Sequence, residues 1–201
     1  SRLDEAVANL KRVKANLKRY KASVLKAAVE GNLTKDWRKQ HPNVEPASNL
    51  LERILTERRA KWGGRGKYKE PIAPDGIGFP SLPIGWTWAS LGMVGQHDRP
   101  IIYGIIKPGP HIPSGVPYVR VTEMKNGWVD VKNLRRTSPE RAAKFARATL
   151  APGDVLISKD GTIGRVAVVP PELKGGNITQ HVMRAPVHSL MVRDFVVWAI
   201  R

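Results

Sequence analysis

Four short stretches of this 201-residue chain carry side chains that combine hydrogen-bond donors and acceptors. Lys159, Asp160 and Thr162 fall in a glycine-containing turn between two β-branched runs, and Asn177, Gln180 and His181 follow soon after. Arg120, Thr122, Lys125 and Asn126 come after an apolar run, and Tyr103 and Lys107 flank Gly104 ahead of a Pro-Gly-Pro turn. Base edges in a DNA groove demand such groups, because each base pair shows a fixed order of donors and acceptors, while the surrounding phosphates call for Lys and Arg. Each candidate also has a structural reading. Arg120 can pair with Glu123 or Asp154. Gln180 and His181 alternate if they share one strand, so that only one faces a ligand and either could serve a framework hydrogen bond.

Covalent and metal chemistry find little support. There is no cysteine, which excludes disulfides, thiolate metal sites and a Cys nucleophile. Glu123-Met124-Lys125 has the Glu-x-Lys form of some metal-dependent nucleases, but that is three residues of information and neither Asp75 nor Asp98 stands at a convincing distance. The five histidines are scattered without metal-ligand spacing, and Gly63-Gly64-Arg65-Gly66-Lys67 lacks P-loop spacing. A Gly-x-Ser-x-Gly elbow, an Asn-Pro-Pro-Tyr signature and a glycine-rich methyl-donor loop are all missing. No catalytic residue, metal ligand or cofactor is assigned.

Charge narrows the partners. With 34 Lys and Arg against 17 Asp and Glu the net charge is +17 and the sequence pI about 10.5, so a polyanion is expected, nucleic acid first. An acidic membrane ranks second, because no apolar run is long enough to span a bilayer and no signal-peptide pattern opens the chain; a cytoplasmic location is expected. The excess is uneven: residues 1–69 hold 18 basic and 7 acidic residues, and the remainder 16 and 10. Lys11, Arg12, Lys14, Lys18, Arg19 and Lys21 either track phosphates or form a solvated helix face.

The elements that position these residues can be read from spacing. Leu3, Leu10, Leu17 and Val24 recur every seven residues, and Ala6, Val13, Tyr20 and Ala27 repeat beside them, the a and d pattern of a coiled coil over four heptads. No Pro or Gly intervenes before Gly31, which predicts a helix of about 28 residues, roughly 42 Å long, with Gly31 at its C-terminal end. Its seam, including Leu3, Leu10, Val13, Leu17, Tyr20 and Val24, packs on a partner helix or on its own domain. Residues 32–48 read as a polar connector. Leu50, Leu51, Ile54 and Leu55 then predict a short helix over 49–62, capped by Ser48 or Asn49. A flexible basic linker follows over 63–81. Beyond it, the runs at 155–158 and 165–169 predict a hairpin presenting Lys159, Thr162 and Arg165, residues 176–184 a further strand, and helices near 138–145 and from about Met191. Trp86 and Trp88 are expected in the core.

The order of these motifs resembles type I restriction-modification specificity subunits. Leu82-Pro83-Ile84-Gly85-Trp86, Pro117-Tyr118-Val119-Arg120, Gly153-Asp154-Val155-Leu156-Ile157 and Asn177-Ile178-Thr179-Gln180-His181 stand where that family's recognition domain has similar motifs. Ile54-Leu55, Glu57-Arg58-Arg59 and Trp62 match its signature on the short conserved helix. The resemblance implies an α+β fold: a long coiled-coil-type helix and a globular, mostly antiparallel sheet recognition domain with flanking helices. It divides the chain into a conserved helical spacer at 1–62, a linker at 63–81 and a C-terminally incomplete target recognition domain at 82–201, an internal piece of a larger subunit. It further implies a non-catalytic role. One half of a bipartite double-stranded DNA target is then expected to be read, with Tyr103, Lys107, Arg120, Thr122, Lys125, Asn126, Lys159, Thr162, Asn177, Gln180 and His181 as the candidate contacts. The helices dock methyltransferase (modification) and restriction subunits and pair with an antiparallel conserved helix of the same subunit, or self-associate. The alternative from another class is a coiled-coil scaffold for an acidic protein partner. An RNA-binding module is disfavoured, since only Tyr103 and Tyr118 offer candidate stacking surfaces.

Overall fold

A computed structural model describes the chain from Ser1 to Arg201 apart from Arg65, Asn126, Gly161 and Ile163. Its contacts divide it into two units, Ser1–Ala47 with Gly78–Thr87, and Ser48–Ile77 with Trp88–Arg201. None of the described helices is long and apolar enough to cross a membrane.

In the first unit, α1 runs Arg2–Val29, 28 residues without a helix breaker, as the heptads predict. It stops where Gly31 turns left-handed (φ 75°) and the N–H groups of Glu30 and Gly31 close back on Lys26 and Ala28. A β-carbon on Gly31 would also lie 3.0 Å from Pro83 and from Trp86, and Arg38 donates to the Gly31 carbonyl at 2.8 Å. The Leu-Pro-x-Gly-Trp motif thus packs over the end of α1. Residues 32–48 are not a plain connector, because a 3-10 turn at Asn32–Thr34 leads into α2 (Lys35–Gln40), which ends two residues before Pro42. Trp86 is half-buried beneath the Arg38 guanidinium, whereas Trp88, in the second unit, stays exposed. Neither tryptophan is a core residue, against the expectation from the sequence. Every side chain of the heptad seam is exposed except Ala27, which is half-buried.

The second unit takes all of α3 (Ala47–Ala60) but its first residue; the helix starts two residues earlier than expected, so Ser48 and Asn49 lie inside its first turn. Its one fully buried side chain is Ile54. Arg58 donates to the Gly95 carbonyl, and Glu57 lies 3.5 Å from Nε2 of the buried His188, whose Nδ1 accepts from the Leu190 N–H. These contacts fasten α3 to the body of the unit.

That body is built on β1 (Ile102–Tyr103), β2 (Val116–Val119), β3 (Met124–Lys125), β4 (Gly127–Val129), β5 (Arg135–Thr137), β6 (Val155–Ser158), β7 (Val166–Val168), β8 (Asn177–Ile178) and β9 (Val182–Ala185), with α4 (Pro139–Ala143) and α5 (Arg193–Ile200). Six strands form a sheet in the order β1-β9-β6-β7-β4-β3 and three form another in the order β5-β2-β8. Among the described strands only β4 with β7 and β2 with β8 run parallel. The fold class is α+β with mostly antiparallel sheets. Successive residues on a strand face opposite sides, and β6 needs both faces apolar for that reason. Leu156 joins the core with Val119, Met124, Ala167, Ile178 and Val182, while Val155 packs with Val166 and Val197 under α5. The expected hairpin forms from β6 and β7, with Val155 opposite Val168. Residues 176–184 do not make one strand: β8 joins the small sheet, β9 the large one, and the chain turns between them at Thr179, Gln180 and His181.

Candidate nucleic-acid interface

That turn decides where the reader residues lie. Gly104 N–H donates to Thr179, Ile105 N–H to Ile178 at 2.7 Å, Gln180 N–H back to Ile105 at 3.1 Å, and Lys159 N–H to the His181 carbonyl at 2.8 Å. Three chain segments are laced together by backbone alone, so their side chains converge whatever those side chains are. Tyr103, Ile106, Lys159, Asp160, Gln180 and His181 line a surface hollow of about 240 Å³. The Lys159 ammonium lies 5.3 Å from the centre of the Tyr103 ring, within cation–π range, and 3.7 Å from Asp160. Asp160 also lies 3.3 Å from Nδ1 of His181, and Nε2 of His181 is 3.1 Å from the Gln180 amide nitrogen. The tautomer consistent with both contacts has Nδ1–H donating to Asp160 and Nε2 accepting from Gln180. Because Gln180 and His181 sit in a turn and not along a strand, both reach one site, against the expectation that only one could.

The other candidates lie apart from this cluster. Lys107 is exposed, has a positive φ of 51°, and accepts the Arg141 guanidinium on its carbonyl at 2.6 Å. Arg120 grips Glu123 through Nη2 (2.6 Å) and Nε (3.2 Å), while Thr122 donates to the same carboxylate at 2.7 Å. Of the two partners open to Arg120, the structure selects Glu123; Asp154 is held by Arg99. Burial alone would raise the Glu123 pKa, but the hydrogen bonds from Arg120, Thr122 and the Arg120 N–H outweigh it and hold the carboxyl below its usual range. The hydrogen bond to Glu123 in turn raises the Arg120 pKa. With both oxygens of Glu123 so engaged, the Glu-x-Lys triplet is a structural pair and a surface lysine. Lys125 is exposed on β3, opposite Trp128 on β4. Asn126 lies outside the described residues.

Thr162 is exposed at the hairpin tip, where its carbonyl accepts from the Ser158 hydroxyl at 2.5 Å. Arg165, expected at the tip, is half-buried and donates to the Val121 carbonyl at 3.0 Å. Asn177 is 1% exposed, with its amide nitrogen on the Phe145 carbonyl and its oxygen accepting from the Ile178 N–H. It is held inside the unit, as is Tyr118, which packs at 1% exposure and offers no stacking face. Asp160, named with Lys159 and Thr162 in the hairpin turn, thus joins the site; Ile106, which also lines the hollow, was not among the candidates and carries no polar signal.

The chain matches no family model. It is 28% identical over 200 residues to the EcoBI type I restriction enzyme specificity subunit of Escherichia coli, covering 98% of this chain and 36% of that protein. The EcoAI specificity subunit of the same organism is 29% identical over 168 residues, 81% of this chain and 27% of the relative. The EcoEI specificity subunit is 28% identical over 151 residues, 73% of this chain and 24% of the relative. Among solved structures, the HsdS subunit from Thermoanaerobacter tengcongensis aligns with a TM-score of 0.45 at 18% identity, over 90% of this chain and 39% of that one. A chain from a structure of the type I R-M system aligns at 0.46 and 18%, over 90% and 40%. The chain is thus similar, over 73 to 98% of its length, to the specificity subunits of three type I restriction enzymes, and it spans between 24 and 36% of the length of these relatives.

Proposed function

We propose that this chain is a piece of a DNA specificity subunit, a non-catalytic recognition module that reads one half of a bipartite duplex target for a type I restriction-modification complex. The observation that carries this reading is the convergence of Tyr103, Lys159, Gln180 and His181 on one surface hollow of a chain with net charge +17. Donating one amide N–H to His181 leaves Gln180 with a second N–H and its carbonyl oxygen, the donor and acceptor pair that fits adenine in the major groove. Lys159 reads bases beside it, and Lys107, Lys125 and Thr162, outside the hollow, supply phosphate contacts. Arg120 and Thr122 act through Glu123 and Asn177 through Phe145, as framework to the readers.

The helical part serves assembly in this reading. The exposed seam on α1 fits an antiparallel conserved helix of the same full-length subunit, or a second copy of this chain, and the helices dock the modification and restriction subunits. The division proposed is a spacer at 1–62, a linker at 63–81 and a recognition domain from 82.

Anisotropy titration of the isolated chain on a labelled duplex at two salt concentrations tests the reading. Phosphate contacts release counterions, so affinity should fall steeply as salt rises, with little dependence on sequence for this piece alone. Binding that ignores salt, or no binding at low salt, refutes it.

A further inference from the structure

A second hollow, of about 370 Å³, opens in the sheet unit between residues 98–100, the 3-10 turn at Ala146–Ala148 with residues 149–151, and Arg184 on β9. Three guanidiniums line it, those of Arg99, Arg147 and Arg184. Arg184 is 2% exposed, and its Nη1 and Nη2 donate to the backbone carbonyls of Thr149 (2.7 Å) and Pro100 (3.1 Å). Its Nε is buried without a partner among the described residues. A buried cation held by neutral acceptors alone is costly. The carboxylate placed to balance it, Asp154, accepts from Arg99 on both oxygens (2.7 and 2.6 Å) and from the Ala151 N–H at 2.8 Å. With Arg99 paired to Asp154, Arg147 and Arg184 remain in the lining against one carboxylate, the exposed Asp98. Burial first, then repulsion from Arg99, lowers the Arg184 pKa, with Arg147 adding to that repulsion.

We propose that this hollow is an anion subsite that takes one backbone phosphate of the duplex, with Arg147 and Arg184 as its ligands and Arg99 setting the potential beside them. The assignment rests on the DNA-reading function above. Guanidinium forks match the tetrahedral oxygens of a phosphate, and the charge the phosphate brings is the one this lining lacks. Arg184 sits opposite Ile102 in the pairing of β1 with β9, one pair along from Met183 and Tyr103, so the hollow lies at the β1 edge of the sheet that also carries the reading hollow.

Arg147→Ala tests the assignment, because Arg147 is exposed and its loss leaves the core intact; Lys39→Ala removes an equal charge from a surface lysine paired with Asp36. Anisotropy of a labelled duplex with the full chain is read across a salt series on two unrelated sequences. The slope of log affinity against log salt should become shallower by about 0.9 for Arg147→Ala, the share of one phosphate, equally on both sequences, and stay unchanged for Lys39→Ala. Inorganic phosphate should raise the melting temperature of the wild type and not of Arg147→Ala. Equal slopes for wild type and Arg147→Ala overturn the DNA contact, and a phosphate-dependent melt alongside equal slopes assigns the hollow to the free anion. A wild-type chain that fails to bind duplex at low salt instead defeats the DNA-reading function, and this contact with it.

Discussion

Gly104 passes so close to Ile178 that a β-carbon on it would stand 2.0 Å from the Ile178 carbonyl oxygen. This approach lets the strand carrying Tyr103 lie against the β8–β9 turn carrying Gln180 and His181, and only glycine permits it. Gly104→Ala should cost about 1 to 3 kcal/mol of stability through overpacking and should separate the reader residues. Gly63→Ala, where a β-carbon meets open space, should be close to neutral. Urea denaturation of both variants checks the difference, and equal small losses would show that the backbone shifts without cost.

Readers and framework residues should respond differently to truncation. In a reconstituted complex, Gln180→Ala or Lys159→Ala should change the preferred bases or cost about 1 to 3 kcal/mol per lost base contact, while Lys107→Ala weakens all sequences alike. Asn177→Ala should lower the melting temperature with no change of preference, since a buried hydrogen-bonding group is lost. Selection from randomised duplexes, run beside thermal melts, separates these outcomes.

Acid should act through Glu123. Its folded pKa is depressed, so the Arg120–Glu123 pair contributes stability that is present above the unfolded carboxylate value and is lost as pH falls through the folded value. Glu123→Gln should cost about 1 to 3 kcal/mol at neutral pH, discounted from the range for a fully buried pair because the Arg120 side chain is 39% exposed. The variant should also flatten the acid limb of the stability profile. Chemical melts from pH 3 to 7 would show a parallel acid limb if the pair contributes nothing.

The α1 seam should drive association. Burying its leucines gains roughly 25 cal/mol per Å² of apolar surface, and among the described residues Leu3, Leu10 and Leu17 are exposed. Sedimentation equilibrium of the chain should report a dimer. Leu10→Asp with Leu17→Asp should give a monomer with an unchanged sheet unit, and a wild type that stays monomeric at high concentration would remove the coiled-coil argument.

Local signals carried much of this protein. The strict sevenfold spacing from Leu3 to Val24 and the first glycine at position 31 were enough to delimit α1, because helix continuity depends on the residues within it. The β-branched runs around Lys159 likewise specified a hairpin, since a turn between two apolar strands is a local event. The order of the motifs from Leu82-Pro83 to Gln180-His181 resembles that of the specificity subunits without reference to any long-range contact. The tertiary structure decided what depends on distant partners. It divided residues 176–184 between two sheets, because Ile178 pairs beside β2 and Val182 beside β6, which no local period records. It brought Tyr103 to His181 through backbone bonds between segments some 80 positions apart, and it drew Asn177 inward. It gave Arg120 to Glu123 where the sequence left Asp154 equally open, and it fastened α3 to the sheet unit through Arg58 and Ile54. Neighbouring residues specify elements, but which polar side chain stays at the surface is settled only when two remote backbones meet.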